Sequence, residues 1–267
     1  MPAIPAESMN PPRVRWTLVL LAACSLASAA PAQAPSAPAR LVDATSATPK
    51  VGNPDFYEKH ARHLRRARSG PVGLLFLGDS ITEGWNGVAD LWQERYGAHQ
   101  PANFGIGGDQ THHVIWRIEH GELATIKPQV VVLMIGTNNS AMHSGAEIAA
   151  ADTKIVRLIR EKLPETKVLL LAIFPRAARP AQDGSITDSA RADAEKRMAA
   201  IRVANAEIAK LDDGAHVRFL DIGPKFLAPD GSIPREIMPD QLHLSPAGYR
   251  IWAEAMQPLL DEMLAPR

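Results

Sequence analysis

The sequence predicts an α/β fold: a three-layer α/β/α sandwich built around a parallel five-stranded sheet. Five short apolar runs, rich in β-branched residues, alternate with longer segments of helical spacing. The runs are apolar at almost every position rather than at every second one, which is typical of strands buried on both faces of a parallel sheet. Alternation of strands with helices favours right-handed crossovers that place helices on both faces.

The predicted elements follow one another in a regular order. Strands are expected over residues 72–77, 102–106, 130–135, 167–173 and 217–220. Helices are expected over residues 109–123, 145–163, 189–211 and 245–264. The last helix begins with Ser245, a good N-cap, followed by Pro246 at the first helical position, where proline is favoured. No internal repeat or second boundary interrupts the pattern, so we expect a single domain over residues 52–267.

The composition is that of a folded protein without a charge excess. Of the 267 residues, 46% are hydrophobic, which is enough for a substantial core. Lysine plus arginine number 29, as do aspartate plus glutamate, so the formal net charge is zero. Nucleic-acid binders carry a basic excess or a basic face, and we therefore expect no nucleic-acid partner. The single cysteine, Cys24, excludes an intramolecular disulfide and a cysteine-rich metal site.

Residues 1–30 have the layout of a secretory signal peptide. Arg13 and Arg15 precede an apolar stretch that gives way to small residues. The stretch is shorter than the roughly 20 apolar residues that span a bilayer. Two modes of processing fit: cleavage by ordinary signal peptidase after small residues, or lipidation of Cys24, because the segment from Leu21 to Cys24 resembles the lipobox of bacterial lipoproteins.

Residues 31–51 are predicted to form a flexible linker. They are mostly alanine, proline, serine and threonine, which bury too little apolar surface to offset the entropy lost on ordering. Together with the signal peptide, this linker indicates an exported protein, periplasmic or extracellular. Lipidation at Cys24 would anchor it to a membrane, and no transmembrane span is expected in the mature chain.

Polar residues follow several of the predicted strands. In open α/β sheets, ligands bind beyond the carboxyl ends of the strands, so the residues after each apolar run are informative. Four blocks contain a hydroxyl, glycine-rich backbone, a carboxamide and an acid–imidazole pair: Gly78-Asp79-Ser80, Gly107-Gly108-Asp109, Gly136-Thr137-Asn138-Asn139 and Asp240-Gln241-Leu242-His243. Together they predict one reactive site at one edge of the sheet.

Ser80, His243 and Asp240 have the residue types of a hydrolytic triad. A serine hydroxyl is a poor nucleophile until a base takes its proton, and an imidazole group, whose ordinary pKa lies near neutral pH, is suited to that role. Asp240 precedes His243 by three residues, so in a helical turn both side chains emerge on the same side. Asp240 could then hold the second imidazole nitrogen and stabilise the imidazolium as it forms.

The oxyanion of a tetrahedral intermediate needs fixed donors. The backbone N–H groups of Ser80 and Gly108 and the side-chain amide of Asn138 are suited to this. We expect glycine at position 108 because a side chain there would obstruct close approach of the backbone. The local string Gly-x-Ser-x-Thr lacks the Gly-x-Ser-x-Gly elbow of α/β-hydrolases, which separates this chain from lipases of that fold.

The four blocks are those that define the SGNH/GDSL hydrolases, and the chain resembles this family from about Asn53 to Leu264. Within the family it is most similar to the catalytic subunits of platelet-activating-factor acetylhydrolase and their bacterial relatives. The similarity is densest over residues 76–80, 103–109 and 114–117. It implies a flavodoxin-like sheet and hydrolysis of short acyl esters without a cofactor. It also implies site residues: nucleophile Ser80, partners Asp240 and His243, and oxyanion donors Gly108 and Asn138.

The substrate stays open at this stage. A short-chain acyl ester is expected, an acetyl ester in particular, and an acetylated glycan would suit an exported enzyme. A lysophospholipase or thioesterase for longer chains, or an O-acyltransferase, would use the same four blocks. Residues 176–189 follow a strand at the reactive edge and are expected to shape specificity. The acetylhydrolase relatives form dimers, so the resemblance is compatible with a homodimer.

Several other residues have simpler expected roles. No metal site is expected, since the adjacent His112 and His113 point in different directions on a helix and no metal-ligand spacing occurs. Asp79 is expected to stabilise its turn, Arg117 to orient the helix after the glycine block, and Trp85 either to line the pocket or to pack in the core.

Overall fold

A five-stranded sheet forms the centre of the computed structural model, which describes residues 42–265. The strands are β1 (Leu74–Gly78), β2 (Pro101–Gly105), β3 (Val130–Met134), β4 (Lys167–Leu171) and β5 (Val217–Leu220). Neighbouring strands are parallel, and their spatial order is β2-β1-β3-β4-β5. This is the doubly wound order of flavodoxin-like sheets, so the predicted fold class is confirmed.

Seven α-helices accompany the strands in the described part of the chain. They are α1 (Pro54–Arg68), α2 (Ser80–Glu83), α3 (Ala89–Tyr96), α4 (Thr111–Arg117), α5 (Gly145–Lys162), α6 (Asp188–Ile208) and α7 (Pro246–Leu264). The helices α5, α6 and α7 end within three residues of their predicted bounds. Ser245 caps α7 as predicted, because its side chain accepts a hydrogen bond from the Gly248 N–H at 3.2 Å.

The helices α1, α2 and α3 are missing from the sequence prediction. For α1 the sequence does contain a signal, since Asn53 caps the helix and Pro54 occupies its first position. Its buried residues also recur at helical spacing: Phe56, His60, His63 and Ala67. Two of these four are histidines, which weakens the apolar pattern by which helices are recognised.

The predicted helix over residues 109–123 is shorter than expected. The helix α4 ends at Arg117, and a π-helical turn over Ile118–Glu122 follows it. Gly121 has a φ of +96°, which breaks the helical path. The break returns the Glu122 carboxylate to Arg117, with which it forms a buried ion pair.

The two faces of the sheet bury separate cores. In β1, Leu74 and Phe76 pack on the side of α3 and α7, whereas Leu75 and Leu77 pack on the side of α4 and α5. The strand is therefore buried at every position, as its unbroken apolar run predicts. Helices on both faces complete the three layers.

The packed chain extends back to residue 42, ten residues before the predicted domain boundary. Ala44 is buried, and its carbonyl accepts a hydrogen bond from Thr111 Oγ1 at 2.9 Å. The Val42 carbonyl accepts another from His143 Nε2 at 2.8 Å. Residues 42–51 thus contact α4 and the segment before α5 instead of belonging to a free linker, because their backbone groups find fixed partners there.

The remainder of the N-terminal prediction lies outside the described residues. This applies to the signal peptide over residues 1–30, to the lipobox from Leu21 to Cys24 and to linker residues 31–41, which all stay predictions. Between residues 42 and 265, no helix is both long and apolar enough to cross a bilayer.

Candidate active site

Ser80 lies directly beyond the carboxyl end of β1, as the first residue of α2. Asp79 caps this short helix, because its Oδ1 accepts a hydrogen bond from the Ile81 N–H at 2.9 Å. The expected turn-stabilising role of Asp79 is thereby confirmed. The N–H groups of the first residues of a helix have no partner within the helix, so the Ser80 N–H is free to bind an acceptor.

Asp79 is fully buried beneath the site. The pKa of its carboxyl group is raised to about 7, mainly by burial. The nearby Asp109 carboxylate also raises this pKa. The hydrogen bond from Ile81 opposes this shift.

Ser80, His243 and Asp240 form one chain of hydrogen bonds. Ser80 Oγ lies 2.9 Å from His243 Nε2, and His243 Nδ1 lies 2.8 Å from Asp240 Oδ2. Since the carboxylate can accept only from a protonated Nδ1, Nε2 is left as the acceptor for the serine hydroxyl in the neutral ring. The structure thus brings together three residues that the sequence separates by up to 163 positions.

The Asp240–His243 pair lies in a turn and not in a helical turn as predicted. Asp240 Oδ1 accepts hydrogen bonds from the N–H groups of Leu242 at 3.1 Å and of His243 at 2.7 Å. Gln241 adopts a left-handed conformation with a φ of +64°, and the backbone therefore folds back around the carboxylate. The two side chains meet because the aspartate holds the backbone of this turn, and not because of helical spacing.

Asp240 also accepts a charge-assisted hydrogen bond from Arg179 at 2.7 Å. Partial burial acts to raise the pKa of Asp240, but hydrogen bonds from the backbone N–H and imidazole of His243 outweigh it and hold that pKa below its ordinary value. The Arg179 charge lowers it further. Asp240 is therefore ionised when it faces His243.

Gly108 lies in the loop after β2, close to Ser80. Its φ of +72° belongs to the left-handed region, which explains the glycine. An added Cβ would meet nothing closer than Lys50 Nζ at 3.6 Å, so the crowding expected from the sequence is not the reason. The neighbouring Gly107 N–H is already bound to Glu83 Oε2 at 2.7 Å. Among the described residues none accepts a hydrogen bond from the Gly108 N–H, which stays available to a ligand.

Lys50 supports this loop from outside the predicted domain. Its Nζ donates to the Gly107 carbonyl at 2.6 Å and forms an ion pair with Asp109 Oδ1 at 2.8 Å. Both residues that flank Gly108 are thus tied to one ammonium group. Sequence reasoning missed Lys50, since it lies 57 positions from Gly107 in a stretch predicted to be a linker.

Asn138 lies beyond the carboxyl end of β3. Its Nδ2 donates to the Asp109 carbonyl at 2.8 Å and lies 3.4 Å from Asp79 Oδ2. The first contact fixes the amide beside the Gly108 loop. The second is long for a hydrogen bond, so the other amide hydrogen is weakly engaged and can turn to a stronger acceptor.

A buried ion network underlies the Gly108 loop. Arg117 is fully buried and donates from Nε to Asp109 Oδ2 at 2.9 Å. The same guanidinium donates to the Phe104 carbonyl at 3.1 Å and to the Gly78 carbonyl at 3.2 Å, at the ends of β2 and β1. Burial acts to raise the pKa of Glu122, but the Arg117 charge holds it well below its ordinary value. Through these contacts Arg117 joins α4 to the ends of β1 and β2, which is consistent with its predicted orienting role.

Two cavities differ sharply in position and character. One, of about 320 Å³, adjoins the site through Asn138 and Leu242 and is otherwise lined by the segment after β4 and by α6. The larger, of about 580 Å³, is mainly apolar and includes Pro128 and Thr166, which precede β3 and β4. It therefore lies at the opposite edge of the sheet from Ser80 and cannot receive the reacting group.

The remaining residues singled out by the sequence have structural roles. Trp85 is 1% exposed and packs against aromatic residues of the core such as Trp252, so it does not line the pocket. His112 and His113 are buried, and burial lowers their pKa values to about 4 and about 2 respectively. Among residues 42–265, no group of three or more histidine, cysteine, aspartate or glutamate residues is placed to hold a metal ion.

Comparison with known proteins gives a consistent set of matches. The family model described as GDSL-like lipase/acylhydrolase matches residues 76–251. The human platelet-activating factor acetylhydrolase IB subunit alpha1 is 33% identical over 219 residues, which covers 80% of this chain and 86% of the human protein.

Solved structures with the same architecture are more distant in sequence. A GDSL-like lipase from Bacteroides thetaiotaomicron superimposes with a TM-score of 0.60 at 19% identity, over 77% of this chain and 97% of that one. An aryl esterase of M. smegmatis gives a TM-score of 0.51 at 21% identity, over 72% of this chain and 99% of that one. At these identities the likeness is one of fold.

Proposed function

Because the chain belongs to the GDSL-like lipase/acylhydrolase family, we propose that it hydrolyses short-chain acyl esters, acetyl esters in particular, through an acyl-serine intermediate. Family membership makes the protein a hydrolase that acts on esters. Beyond this, the proposal specifies a short acyl group, an acyl-serine intermediate and the residues that carry out the reaction. It rests on one observation above all, the hydrogen-bonded chain from Asp240 through His243 to Ser80.

In the proposed acylation step, Ser80 Oγ attacks the ester carbonyl carbon while its proton passes to His243 Nε2. Asp240 stays ionised and stabilises the imidazolium by the bond to Nδ1. The tetrahedral intermediate then expels the alcohol, which takes the proton from Nε2. Ser80 is left as an acyl ester and His243 is neutral again.

The oxyanion of the intermediate would receive three hydrogen bonds. Within residues 42–265 the N–H groups of Ser80 and Gly108 have no acceptor, and Asn138 offers its weakly engaged amide hydrogen. Lys50 and Arg117 would contribute indirectly, because they fix the loop that carries Gly108. Preorganised donors matter because they need no rearrangement when charge develops.

Deacylation would repeat the same geometry with water. His243 Nε2 takes a proton from the water as its oxygen attacks the acyl carbon, and a second tetrahedral intermediate forms in the same oxyanion site. Its collapse returns the proton to Ser80 Oγ and releases the carboxylic acid. The cycle consumes one water and one ester and needs no cofactor.

Two observations support a short acyl group. The cavity that adjoins the site is lined largely by charged residues and alanines, which suits a polar ligand better than a long alkyl chain. The extensive apolar cavity lies at the other edge of the sheet. The relatives' name, acetylhydrolase, also supports acetyl. An acetylated glycan is the proposed natural class, because the export predicted from residues 1–30 would bring the enzyme into contact with extracytoplasmic glycans.

Active-site labelling tests the nucleophile. A fluorophosphonate probe phosphonylates a serine that a neighbouring base activates, so we expect wild-type protein to be labelled and Ser80→Ala to stay unlabelled. Hydrolysis of p-nitrophenyl acetate should fall by about 10³-fold or more in Ser80→Ala and in His243→Ala.

Ser69→Ala is the matched control, since this exposed hydroxyl donates to the Arg66 carbonyl at the end of α1. It should label and react as wild type does. Equal labelling of Ser80→Ala and wild type would mean that another residue is the nucleophile.

A chain-length series tests the acyl preference. The kcat/KM values for p-nitrophenyl acetate, butyrate and octanoate should decrease in that order, by about tenfold or more overall. A maximum at octanoate would instead favour the lysophospholipase or thioesterase alternative. Transfer of the acetyl group to an added sugar in preference to water would favour the acyltransferase.

A further inference from the structure

The cavity beside the site has an unusual charge distribution. It is bounded by Asn138 and Leu242 on the side of Ser80 and by the segment after β4 together with α6 on the other. Three of its lining residues are arginines and one is an aspartate: Arg176, Arg179, Arg197 and Asp193. A volume of about 320 Å³ can hold a small charged substituent or a single ring.

Two of the three arginines already have carboxylate partners. Arg197 Nε donates to Asp193 Oδ2 at 2.6 Å, one helical turn away on α6. Arg179 donates to Asp240 Oδ2 at 2.7 Å. Each of these two arginines is neutralised by its own carboxylate partner. The excess positive charge of the cavity therefore lies on the third arginine, Arg176.

Arg176 is half-buried and has no carboxylate partner within residues 42–265. Its guanidinium only approaches Thr137, at 3.5 Å from the carbonyl and 3.4 Å from Oγ1. Its Nε is shielded from solvent and has no acceptor in the described part of the chain. Burial in the first place, and repulsion from Arg197 in the second, lower the pKa of Arg176 to about 10.

A half-buried guanidinium with no carboxylate partner and an unsatisfied Nε would be stabilised by an anionic ligand that supplies the missing acceptor. Guanidinium groups bind carboxylates and phosphates through two parallel hydrogen bonds. Thr137, which Arg176 contacts, directly precedes the oxyanion residue Asn138. The same cavity is lined by Arg176 and Asn138, so one substrate molecule can place an anionic group at Arg176 and its ester at the site.

We propose that Arg176 is the centre of an anion-binding subsite that recognises a carboxylate or phosphate group on the alcohol portion of the substrate. The inference rests on the proposed function, because an acetyl group has no charge and the anion must then belong to the alcohol. Arg179 and Arg197 line the same cavity, but their charges are balanced by Asp240 and Asp193, so Arg176 is the arginine left to bind an anion. The substrate class is therefore an acetylated, negatively charged alcohol such as an acidic sugar derivative.

Three matched esters test the subsite: 4-acetoxyphenylacetate, 4-acetoxybenzylphosphonate and methyl 4-acetoxyphenylacetate. The methylene group keeps the phenol leaving groups similar, so the esters differ mainly in the charge that they present. We expect wild-type kcat/KM to be about 10-fold or more higher for one anionic ester than for the neutral one, mainly through KM. Whether the carboxylate or the phosphonate is preferred identifies the anion.

Arg176→Gln should lower the ratio of anionic to neutral kcat/KM by about 10–100-fold, and Arg176→Lys should restore part of it. Arg157→Gln, on the exposed face of α5 and outside the cavity, should keep the wild-type ratio. A ratio of anionic to neutral kcat/KM near one in wild type overturns the subsite, and this result does not depend on how any variant folds. An unchanged ratio in Arg176→Gln also overturns it. Failure of wild type to hydrolyse the neutral ester or to label at Ser80 would instead overturn the proposed function.

Discussion

Lys50 shows how much the proposed oxyanion site depends on one side chain. It binds the Gly107 carbonyl and the Asp109 carboxylate, which flank Gly108 on both sides. The Gly108 N–H is positioned by these contacts and by the glycine's left-handed conformation. Lys50 does not contact the reacting atoms in this arrangement, so it acts as a positioning residue.

Replacing Lys50 should therefore affect turnover more than binding. We expect Lys50→Met to lower kcat on p-nitrophenyl acetate by about 10–100-fold with little change in KM, since loss of a whole oxyanion donor costs about 10²–10³ in turnover. Lys50→Arg should recover part of the loss because it keeps the charge.

Lys210→Met is the comparison variant. This lysine pairs with Glu207 on the exposed surface of the protein and should be replaceable without effect on kcat. A Lys50→Met variant with an unchanged kcat would show that the loop is held without the ammonium group.

At the scale of elements, α4 joins the ends of two strands to the Gly108 loop. Arg117, its last residue, donates to carbonyls at the ends of β1 and β2 and to the buried carboxylates of Asp109 and Glu122. The π-helical turn after α4 brings Glu122 into this network. Because these charges compensate one another in the interior, removing one member of the network would leave a buried charge unpaired.

Arg117→Met should be strongly destabilising. It leaves the buried Glu122 carboxylate without its arginine and removes one of the two cations paired with Asp109, and we expect the free energy of unfolding to fall by about 3–5 kcal/mol in urea denaturation. Arg95→Met provides the comparison, since Arg95, on α3, forms only partly exposed ion pairs with Glu94 and with Glu254 of α7; its loss should cost less than about 1 kcal/mol. Similar losses for the two variants would mean that the buried network contributes no more than a surface pair.

At the scale of the whole molecule, buried ionisable groups set the dependence of stability on pH. The lowered pKa values of His112 and His113 favour their neutral forms in the fold. Their contribution is present above the ordinary histidine pKa of about 6.5 and is lost as the pH falls below it. Asp152, on α5, acts in the opposite direction, because burial raises its pKa well above the ordinary value.

Asp152 is 1% exposed, and neither carboxyl oxygen has a hydrogen-bond partner in the described structure. The folded state therefore binds its proton more tightly than the unfolded state does. Stability is unaffected by this group below an ordinary pKa of about 3.9 and decreases as the pH rises toward the raised pKa. Asp152→Asn should remove this decrease. Between pH 5 and pH 8, its free energy of unfolding should therefore improve by at least about 1 kcal/mol relative to that of wild type.

Thermal unfolding of wild type and Asp152→Asn at both pH values measures this difference. Asp261→Asn, at an exposed position of α7, should leave the pH dependence unchanged. Parallel pH profiles for Asp152→Asn and wild type would show that Asp152 does not ionise differently on folding.

The sequence by itself determined the fold class and the residue types of the site. The apolar runs that became β1, β3 and β4 are typical of strands buried on both faces of a layered sheet, and all five strands lie within two residues of their predicted bounds. Parallel strands end at one edge, so the blocks after β1, β2 and β3 had to meet there. Ser80, Gly108 and Asn138 were predictable for that reason, although their roles stay proposals.

Only the tertiary structure determined the polar contacts between distant segments, which the local sequence pattern does not predict. The meeting of Asp240 and His243 depends on a left-handed turn at Gln241, and the support of Gly108 depends on Lys50 from the segment predicted to be a linker. Arg176 has no carboxylate partner because Asp240 and Asp193, the carboxylates near it, pair with Arg179 and Arg197. Apolar periodicity reports burial against a neighbouring layer, whereas these contacts are made by polar side chains from distant segments. Their partners are fixed only when the loops take their paths over the sheet.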